Sequence, residues 1–258
     1  MTAPQETLEL LDGLAGQSMG AALGYAAFYE DEWTTLYCAD AADVLPSVTA
    51  DVLVTDPPYG VEYRSNKRNQ RFDAIANDKA ADAGGVLAVL ETAIRQLRRG
   101  RHAYIFGKLE IGNLPLCGVT ELIWDKGIIG MGDLQSPWGT EHEPITFGVY
   151  ELSAANRAKG YGNLSARMRK GSVLRVQRTQ GGAVTRHPTE KPVMLLRQLI
   201  ESSSVMGETV LDPFCGVGST LVAARLEGRK SIGIEINHEY CTIAAQRLSK
   251  LRGRDDAA

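Results

Sequence analysis

The amino-acid sequence predicts an α/β fold built on a doubly wound, mostly parallel sheet. From Thr34 onward, short apolar runs typical of buried strands alternate with amphipathic stretches typical of helices, which favours parallel strands joined by crossover helices. A chain of 258 residues, 44% of them hydrophobic and 23% charged, suits one such domain with a full core and a small appendage. We therefore expect residues 34–258 to form one domain, preceded by an extension over residues 1–33.

The predicted elements follow this alternation along the chain. Strands are predicted at 36–38, 51–55, 103–106, 121–124, 144–147, 209–211 and 231–234. Helices are predicted at 41–45, where a turn would also fit, at about 80–99, at 191–202, at 219–227 and at about 238–251. Leucines at helical spacing near the N-terminus indicate a further weak helix, and the polar stretch 60–79 is typical of a loop.

Nothing in the sequence indicates a membrane, secreted or metal-binding protein. No apolar run is long enough to cross a membrane, and the N-terminal residues lack the basic region of a secretion signal, so we expect a cytoplasmic protein. The four cysteines are scattered without a Cys-x-x-Cys pair, and the four histidines are equally dispersed. We expect free thiols and no metal.

The charge distribution favours a nucleic-acid partner. Residues 1–63 contain eleven acids and no lysine or arginine, so residues 64–258 carry all 28 basic residues against 20 acids. The segment 151–186 has eight basic residues and one acid among many Gly, Ser, Asn and Gln, groups that contact phosphates and base edges. A solvated loop could also carry this charge. The candidate DNA contacts lie in this segment and in the loop 60–79: Arg64, Lys67, Arg68, Arg167, Arg169 and Lys170.

The tetrapeptide Asp56-Pro57-Pro58-Tyr59 is the first candidate site. It ends an apolar run, and two consecutive prolines cannot continue a sheet ladder because neither has an N–H to donate. The chain therefore presents a carboxylate, carbonyls without ladder partners and an aromatic ring at the end of a strand. Together these groups can hold an amino group attached to a planar base.

The second candidate site is the glycine-rich turn after the strand near Leu211. The order strand, tight glycine turn, helix lets the backbone approach a bound nucleoside closely. Glu235 ends the next strand and could accept hydrogen bonds from both ribose hydroxyls. The dinucleotide fingerprint needs a third glycine at position 221, which is leucine, and this counts against a nicotinamide enzyme.

These stretches resemble motifs of the S-adenosylmethionine-dependent amino methyltransferases that act on DNA. The tetrapeptide matches the family signature at the target base, and Asp212-Pro213-Phe214-Cys215-Gly216-Val217-Gly218 matches its cofactor motif. The segment 187–192 resembles the family's entry into the helix before that motif. The order of base motif, basic segment and cofactor motif resembles the β class, which is circularly permuted relative to other members. The resemblance covers about residues 34–250, with a Trp124-Asp125-Lys126 strand and Glu143 at matching places.

The resemblance implies a Rossmann-like methyltransferase fold with a small basic target-recognition insertion at 151–186. The strands 51–55 and 209–212 would then be neighbours, and both motifs would face one crevice at the switch point of the sheet. The residues that it implies for catalysis are Asp56, Pro57, Pro58 and Tyr59. The residues that it implies for S-adenosylmethionine binding are Asp40, Thr189, Lys191, Asp212, Phe214, Gly216, Gly218, Thr220, Glu235 and Asn237.

The resemblance implies methyl transfer to the exocyclic amino nitrogen of a DNA base that has been flipped out of the duplex. Asp56 favours adenine N6, because N4-cytosine members usually have serine at that position; cytosine N4 is the alternative. A nicotinamide dehydrogenase and an inactive DNA-binding regulator are the alternatives from other classes. Double-stranded DNA is the expected partner, homodimers occur in the family, and the sequence does not indicate a companion restriction endonuclease.

Overall fold

The computed structural model describes residues 25–58, 83–107, 112, 114–127, 137–151, 170–178 and 190–255. The strands of this part are β1 Tyr29–Glu30, β2 Thr34–Cys38, β3 Ala50–Thr55, β4 Leu97–Phe106, β5 Leu116–Asp125, β6 His142–Tyr150, β7 Val173–Arg175, β8 Thr209–Asp212 and β9 Lys230–Glu235. Its helices are α1 Ala41–Val44, with a 3-10 turn Leu45–Ser47 after it, α2 Ala83–Arg95, α3 Val193–Ser203, α4 Ser219–Leu226 and α5 His238–Asp255.

The described strands form one sheet in the order β1-β2-β9-β8-β3-β4-β6-β5-β7. The five strands from β2 to β4 in this order are parallel. The strands β1 and β6 are antiparallel to their inner neighbours, β5 is antiparallel to β6, and β7 is parallel to β5. The predicted α/β fold with a doubly wound, mostly parallel sheet is confirmed.

The strands β3 and β8 are direct neighbours, as the sequence predicted. They pair in parallel with Val52 opposite Val210 and Leu53 opposite Leu211. From β3 the chain passes through α2 to β4 on one side, and from β8 it passes through α4 to β9 on the other. The two crossovers leave in opposite directions, so the switch point lies between β3 and β8, where open α/β sheets bind ligands.

Apolar cores cover both faces of the sheet. Leu53 of β3 packs with α2 through Leu90 and Ile94, whereas Val52 packs with α3 through residues such as Leu199. All six residues of β3 are buried, which explains its mainly apolar sequence; its two polar residues, Asp51 and Thr55, are buried as well. The last helix, α5, packs beside α4 on the α3 face. This three-layer packing fixes the carboxyl ends of β3 and β8 side by side.

The predicted helix 80–99 is wrong at its end, because α2 stops at Arg95 and β4 begins at Leu97. Leu97 pairs with Ala50 of β3, and Gly100 takes a left-handed φ of 79° where the register shifts. Two basic side chains of this stretch, Arg98 and Arg101, reach the buried Asp51 carboxylate. A basic run that resembles a helix C-terminus therefore belongs to a strand, held there by a distant acid.

The strands predicted at 121–124 and 144–147 are parts of a longer antiparallel hairpin, β5 and β6. Within the basic segment 151–186, which was expected to be a recognition loop, residues 173–175 form β7 at the edge of the sheet. A three-residue strand is too short to show a periodic pattern. The rest of that segment, apart from residues 151 and 170–178, lies outside the described residues.

The described residues before Thr34 are part of the sheet. Tyr29 and Glu30 pair with β2, and Asp31 forms a buried ion pair with Arg225 of α4, whose side chains are 3% and 5% exposed. The sheet thus begins five residues before the predicted start of the domain. The predicted N-terminal helix and the loop 60–79 lie outside the described residues.

No helix in the described ranges combines the length and apolar character needed to cross a membrane. No three metal-ligating side chains come together in those ranges, and all four cysteines are free thiols.

We predict that replacing Asp31 with alanine destabilises the whole domain. The Asp31 carboxylate accepts hydrogen bonds from the Tyr29 hydroxyl at 2.7 Å and from two backbone N–H groups, and it balances the charge of Arg225. Its removal leaves a buried guanidinium without that counter-charge, which costs about 3 kcal/mol. Urea denaturation measures the loss. The exposed Glu32→Ala is the control, and equal stability of the two variants would contradict a structural role for this segment.

Candidate active site

Asp56 lies at the carboxyl end of β3, where Pro57 and Pro58 end the strand. Its side chain is 24% exposed, whereas the five residues before it are buried. The carboxylate therefore stands at the edge of the sheet, beside the switch point. Tyr59, which the sequence places next to it, lies outside the described residues.

The glycine-rich turn after β8 lies at the same edge. Gly216 and Gly218 take left-handed φ values of 51° and 78°. A Cβ on Gly218 would lie 2.9 Å from the Cβ of Ala244 in α5, so that glycine permits close packing of the turn against the helix. A Cβ on Gly216 would meet nothing within 4 Å. The backbone at Gly216 therefore has open space before it, as a turn that approaches a ligand requires.

The buried carboxylate of Asp212 joins the two motifs. It accepts a hydrogen bond from the Thr55 hydroxyl at 2.8 Å and one from the backbone N–H of Phe214 at 3.1 Å, and it is also bonded by the Thr220 hydroxyl. Burial raises the pKa of Asp212 to about 6, although these bonds favour the charged form and partly oppose the shift. Since Thr55 immediately precedes Asp56, this bond fixes the ends of β3 and β8 together.

Glu235 ends β9 and holds the glycine turn from the other side. Its carboxylate accepts the backbone N–H of Gly216 at 2.9 Å and that of Asn237 at 2.7 Å. Burial raises the pKa of Glu235 despite these hydrogen bonds. A carboxylate has about four lone-pair sites, so both oxygens can still accept a further hydrogen bond. This geometry fits a ligand with two neighbouring hydroxyls bound in front of Gly216.

Two consecutive residues before α3 point to different parts of the site. Glu190 accepts the Ser219 hydroxyl at 2.9 Å and pairs with Arg247 of α5 at 2.8 Å. Arg247 in turn donates to the carbonyl of Val217 at 2.7 Å, so the glycine turn is held by an ion pair. Lys191 instead reaches Asp56, with its Nζ 2.6 Å from Oδ2.

Lys191 is enclosed by two carboxylates and aromatic rings. Besides Asp56, its Nζ lies 2.9 Å from Oε1 of Glu143 and 5.0 Å from the centre of the Phe106 ring. Burial acts to lower the pKa of Lys191, but the adjacent Asp56 and Glu143 carboxylates outweigh it and the pKa is raised. The ammonium therefore stays charged at neutral pH.

Glu143 links this lysine to a second one. Its Oε2 lies 3.1 Å from Nζ of Lys126, and its Oε1 contacts Lys191 without the alignment of a hydrogen bond. Burial acts to raise the pKa of Glu143, but Lys191 and Lys126 outweigh it and the pKa is lowered. An alternating row of charges thus runs from Asp56 across β4 and β6 to β5.

Comparison with known proteins supports one family. A family profile described as DNA methylase matches residues 121–246, which include the glycine turn and Glu235 but not Asp56. Over 238 residues the chain is 26% identical to a protein of Escherichia coli (strain K12) named DNA adenine methyltransferase YhdJ, covering 79% of this chain and 78% of that protein. These matches support a DNA amino methyltransferase family for this chain.

Two solved structures share the fold of this chain. The M1.HpyAVI–SAM complex superposes with a TM-score of 0.61 at 19% identity and covers 83% of this chain and 98% of that one. The PvuII DNA methyltransferase, titled cytosine-N4-specific, superposes with a TM-score of 0.61 at 15% identity and covers 87% and 89%. The family is S-adenosylmethionine-dependent, and its members include enzymes named for adenine and for cytosine N4.

The structure brings most of the described candidate residues to one edge of the sheet. They come from the ends of β3, β8 and β9: Asp56, Pro57, Pro58, Asp212, Phe214, Gly216, Gly218, Glu235 and Asn237. The exposed Asp40 follows β2, the neighbour of β9, and caps α1 through the N–H of Ala42. The candidates outside the described residues are Tyr59, Arg64, Lys67, Arg68, Arg167, Arg169 and Thr189.

Three candidates have neighbours that differ from those expected. Thr220 is buried and bonds Asp212, so it would act on the cofactor site only through that carboxylate. Lys191, predicted to bind the cofactor, lies against Asp56. Lys170, predicted to contact DNA, pairs with Glu201 at 2.7 Å near the end of α3, toward the amino ends of the central strands.

Two features of this edge were not predicted from the sequence. They are the ion pair that holds the glycine turn and an exposed apolar side chain beside the turn. Glu190 and Arg247 are 57 positions apart in the sequence, and no local pattern connects them. Ile236, directly after Glu235, is an apolar side chain that is 48% exposed at this edge. An isolated isoleucine after an acid at a strand end was the only available signal for it.

We predict that Asp212→Asn stabilises the protein more at neutral pH than at acid pH. Because the folded-state pKa of about 6 lies above the ordinary value of 3.8, the folded state retains a proton that the unfolded state has released between these pH values. Stability from this group is therefore lost as pH rises through that window. The shift of about two units corresponds to about 3 kcal/mol.

Asparagine is neutral throughout and keeps an acceptor oxygen for Thr55 and Phe214. The difference in unfolding free energy between Asp212→Asn and the unmodified protein should rise from pH 4 to pH 7. If the difference in unfolding free energy did not change with pH, the Asp212 carboxylate would not be the source of a pH-dependent loss of stability.

Proposed function

We propose that this protein transfers a methyl group from S-adenosylmethionine to the N6 nitrogen of adenine in double-stranded DNA. The observation that carries the proposal is the joining of β3 to β8 by the Thr55–Asp212 hydrogen bond. It brings Asp56, the candidate base-binding group, and the glycine turn with Glu235 to one switch point. A donor bound at the turn would then lie beside an amino group held at Asp56.

The residues after β8 and β9 fit the cofactor. S-adenosylmethionine would supply a methyl group on a positively charged sulfur. Glu235 would accept hydrogen bonds from the ribose hydroxyls, and Gly216 leaves open space for the ligand. The apolar side chains of Phe214 and Ile236 offer packing surface to the adenosine part.

Asp56 and Pro57 would orient the target amino group. The adenine must leave the base stack to reach this edge, and Tyr59 would stack on the flipped ring. The Asp56 carboxylate and the Pro57 carbonyl would accept its two N–H bonds and turn the nitrogen lone pair toward the methyl group. S-adenosylmethionine would supply the methyl group to this nitrogen, keeping the electron pair of the broken S–C bond on sulfur, and the nitrogen would lose one proton to water. Alignment and the negative charge beside this nitrogen supply the catalysis.

Adenine is favoured over cytosine by the aspartate at position 56 and by the name of the Escherichia coli relative. A nicotinamide dehydrogenase is disfavoured because position 221 is leucine, and this side chain is buried in the core between α4 and α5. DNA contacts by Arg64, Lys67, Arg68, Arg167 and Arg169 remain predictions. The ion pair of Lys170 with Glu201 does not favour such a contact.

Sequencing DNA from cells that express the protein, with detection of methylated bases, tests the proposal. We expect N6-methyladenine at one recurrent sequence. N4-methylcytosine instead would retain the DNA amino methyltransferase activity and overturn the preference for adenine. The absence of any new methylated base would overturn the activity itself.

We predict that Asp56→Ala lowers methyl transfer by a factor of about 10² to 10³ or more, because an acceptor aimed at the developing charge is lost. Incorporation of labelled methyl groups into unmethylated genomic DNA measures this loss. The exposed Asp43→Ala is the matched control. Normal turnover in Asp56→Ala, with an unchanged melting temperature, would contradict the assigned role.

We predict that Glu235→Ala weakens S-adenosylmethionine binding roughly ten- to a hundredfold, or about 1–3 kcal/mol. The variant loses the expected ribose acceptors and the tie to the N–H of Gly216. Calorimetry with the cofactor alone measures the affinity. DNA affinity without cofactor should change little. If Glu235→Ala instead weakened DNA binding and left cofactor binding unchanged, the cofactor-binding and base-binding parts of the site would have been assigned the wrong way round.

A further inference from the structure

We infer that Lys191 and Glu143 are positioning residues for Asp56, and that the three groups together hold one net negative charge at the target nitrogen. This inference rests on the proposed function and adds two residues to its machinery. It begins from the row of charges Asp56–Lys191–Glu143–Lys126, which follows the sheet edge where β3, β4 and β5 end and the antiparallel β6 begins.

Lys191 fixes one oxygen of Asp56. The ammonium lies 2.6 Å from Oδ2 and is only 10% exposed, so little water competes for the contact. The lysine is itself held over the Phe106 ring at 5.0 Å, and Pro192 directly after it leads into α3. A carboxylate held in this way has a defined orientation before any base arrives, which reduces the entropy lost in forming the reactive geometry.

Lys191 also separates two acids. Asp56 and the buried Asp212 are close enough for the charge of one to raise the pKa of the other. The Lys191 ammonium contacts Asp56 and so opposes the repulsion between these two carboxylates.

Lys191 alone would neutralise the group that it positions. Methyl transfer moves positive charge from sulfur to the amino nitrogen, and a neutral Asp56–Lys191 pair would stabilise that charge poorly. Glu143 lies 2.9 Å from the same ammonium and restores a net charge of −1 to the three groups. Lys126 brings the whole row to neutrality, but it contacts only the other Glu143 oxygen and lies 5.1 Å from the Trp124 ring, so Glu143 and Lys191 separate its charge from Asp56.

The inference predicts separate effects on turnover and on cofactor binding. Glu143→Gln keeps the shape but makes the three-group cluster neutral, and Lys191→Met removes the contact with Asp56. We expect each to lower kcat by about tenfold or more, with the S-adenosylmethionine Kd changed by less than about threefold. Lys191→Arg keeps the charge and should recover part of the activity that Lys191→Met loses.

Matched controls lie at the opposite edge of the sheet, where the parallel strands begin. Glu227 is 16% exposed and pairs with Arg197 at 2.6 Å, which resembles the 18% exposure of Glu143 and its contact with Lys191. Glu227→Gln therefore removes a comparable ion-pair charge away from Asp56. Lys230→Met, at the exposed start of β9, is the control for Lys191→Met. Both controls should keep kcat near that of the unmodified protein.

The experiment measures labelled methyl transfer to unmethylated genomic DNA and cofactor affinity by calorimetry, for each variant and for Asp56→Ala. Unchanged kcat in Glu143→Gln, or a loss of cofactor affinity as large as the loss of kcat, would overturn the inference while Asp56→Ala remains inactive. An unmodified protein that transfers no methyl group, or an active Asp56→Ala, would overturn the proposed function and the inference with it.

Discussion

The hydrogen bond from Thr55 to the buried Asp212 carboxylate is the constraint on which the site depends. It joins the last residue of β3 to the last residue of β8 across 157 positions of sequence. The same carboxylate accepts the N–H of Phe214 and so sets the start of the glycine turn. Asp56 and the turn are each one or two residues from this bond. Their relative position therefore follows from strand pairing and one polar contact, and it does not require a long rigid loop.

The pKa values of two buried acids at this site, Asp212 and Glu143, are shifted in opposite directions. Asp212 has hydroxyl and backbone partners, and burial raises its pKa to about 6. Glu143 is also buried, but two lysines outweigh the burial and lower its pKa. Hydrogen bonds alone offset only part of the cost of removing a charge from water, whereas paired cations offset all of it here. The acid that joins the strands, Asp212, is thus costly to ionise, whereas Glu143 beside Lys191 remains charged.

The sequence predicted the features that depend on short-range chemistry. The apolar stretch Val52-Leu53-Val54 shortly before Asp56-Pro57 predicts a buried strand that stops at the prolines, and β3 ends at Thr55. The glycine turn and Glu235 were recognisable because a strand, a turn and an acid follow one another within about 25 residues. The adjacency of β3 and β8 was predicted from the resemblance and is confirmed.

The features that sequence reasoning missed depend on groups far apart in the chain. Arg98 and Arg101 suggested a helix end, but their carboxylate partner Asp51 belongs to another strand. Lys191 was assigned to the cofactor because it precedes the cofactor motif, yet its contacts are with Asp56 and Glu143, 135 and 48 positions away. Long side chains reach across several strands, and neither periodicity nor motif spacing encodes where they end.

The pair Glu190 and Lys191 shows how one short segment can serve both halves of the site. Consecutive Cα atoms are 3.8 Å apart, so the two side chains cannot move independently of the backbone that joins them. Glu190 holds the glycine turn through Ser219 and Arg247, and Lys191 holds Asp56. The contacts that hold the glycine turn and those that hold Asp56 are therefore anchored on one peptide unit. In a reaction that needs sulfur, methyl group and nitrogen in line, such a direct connection keeps the two binding sites in register without an intervening network.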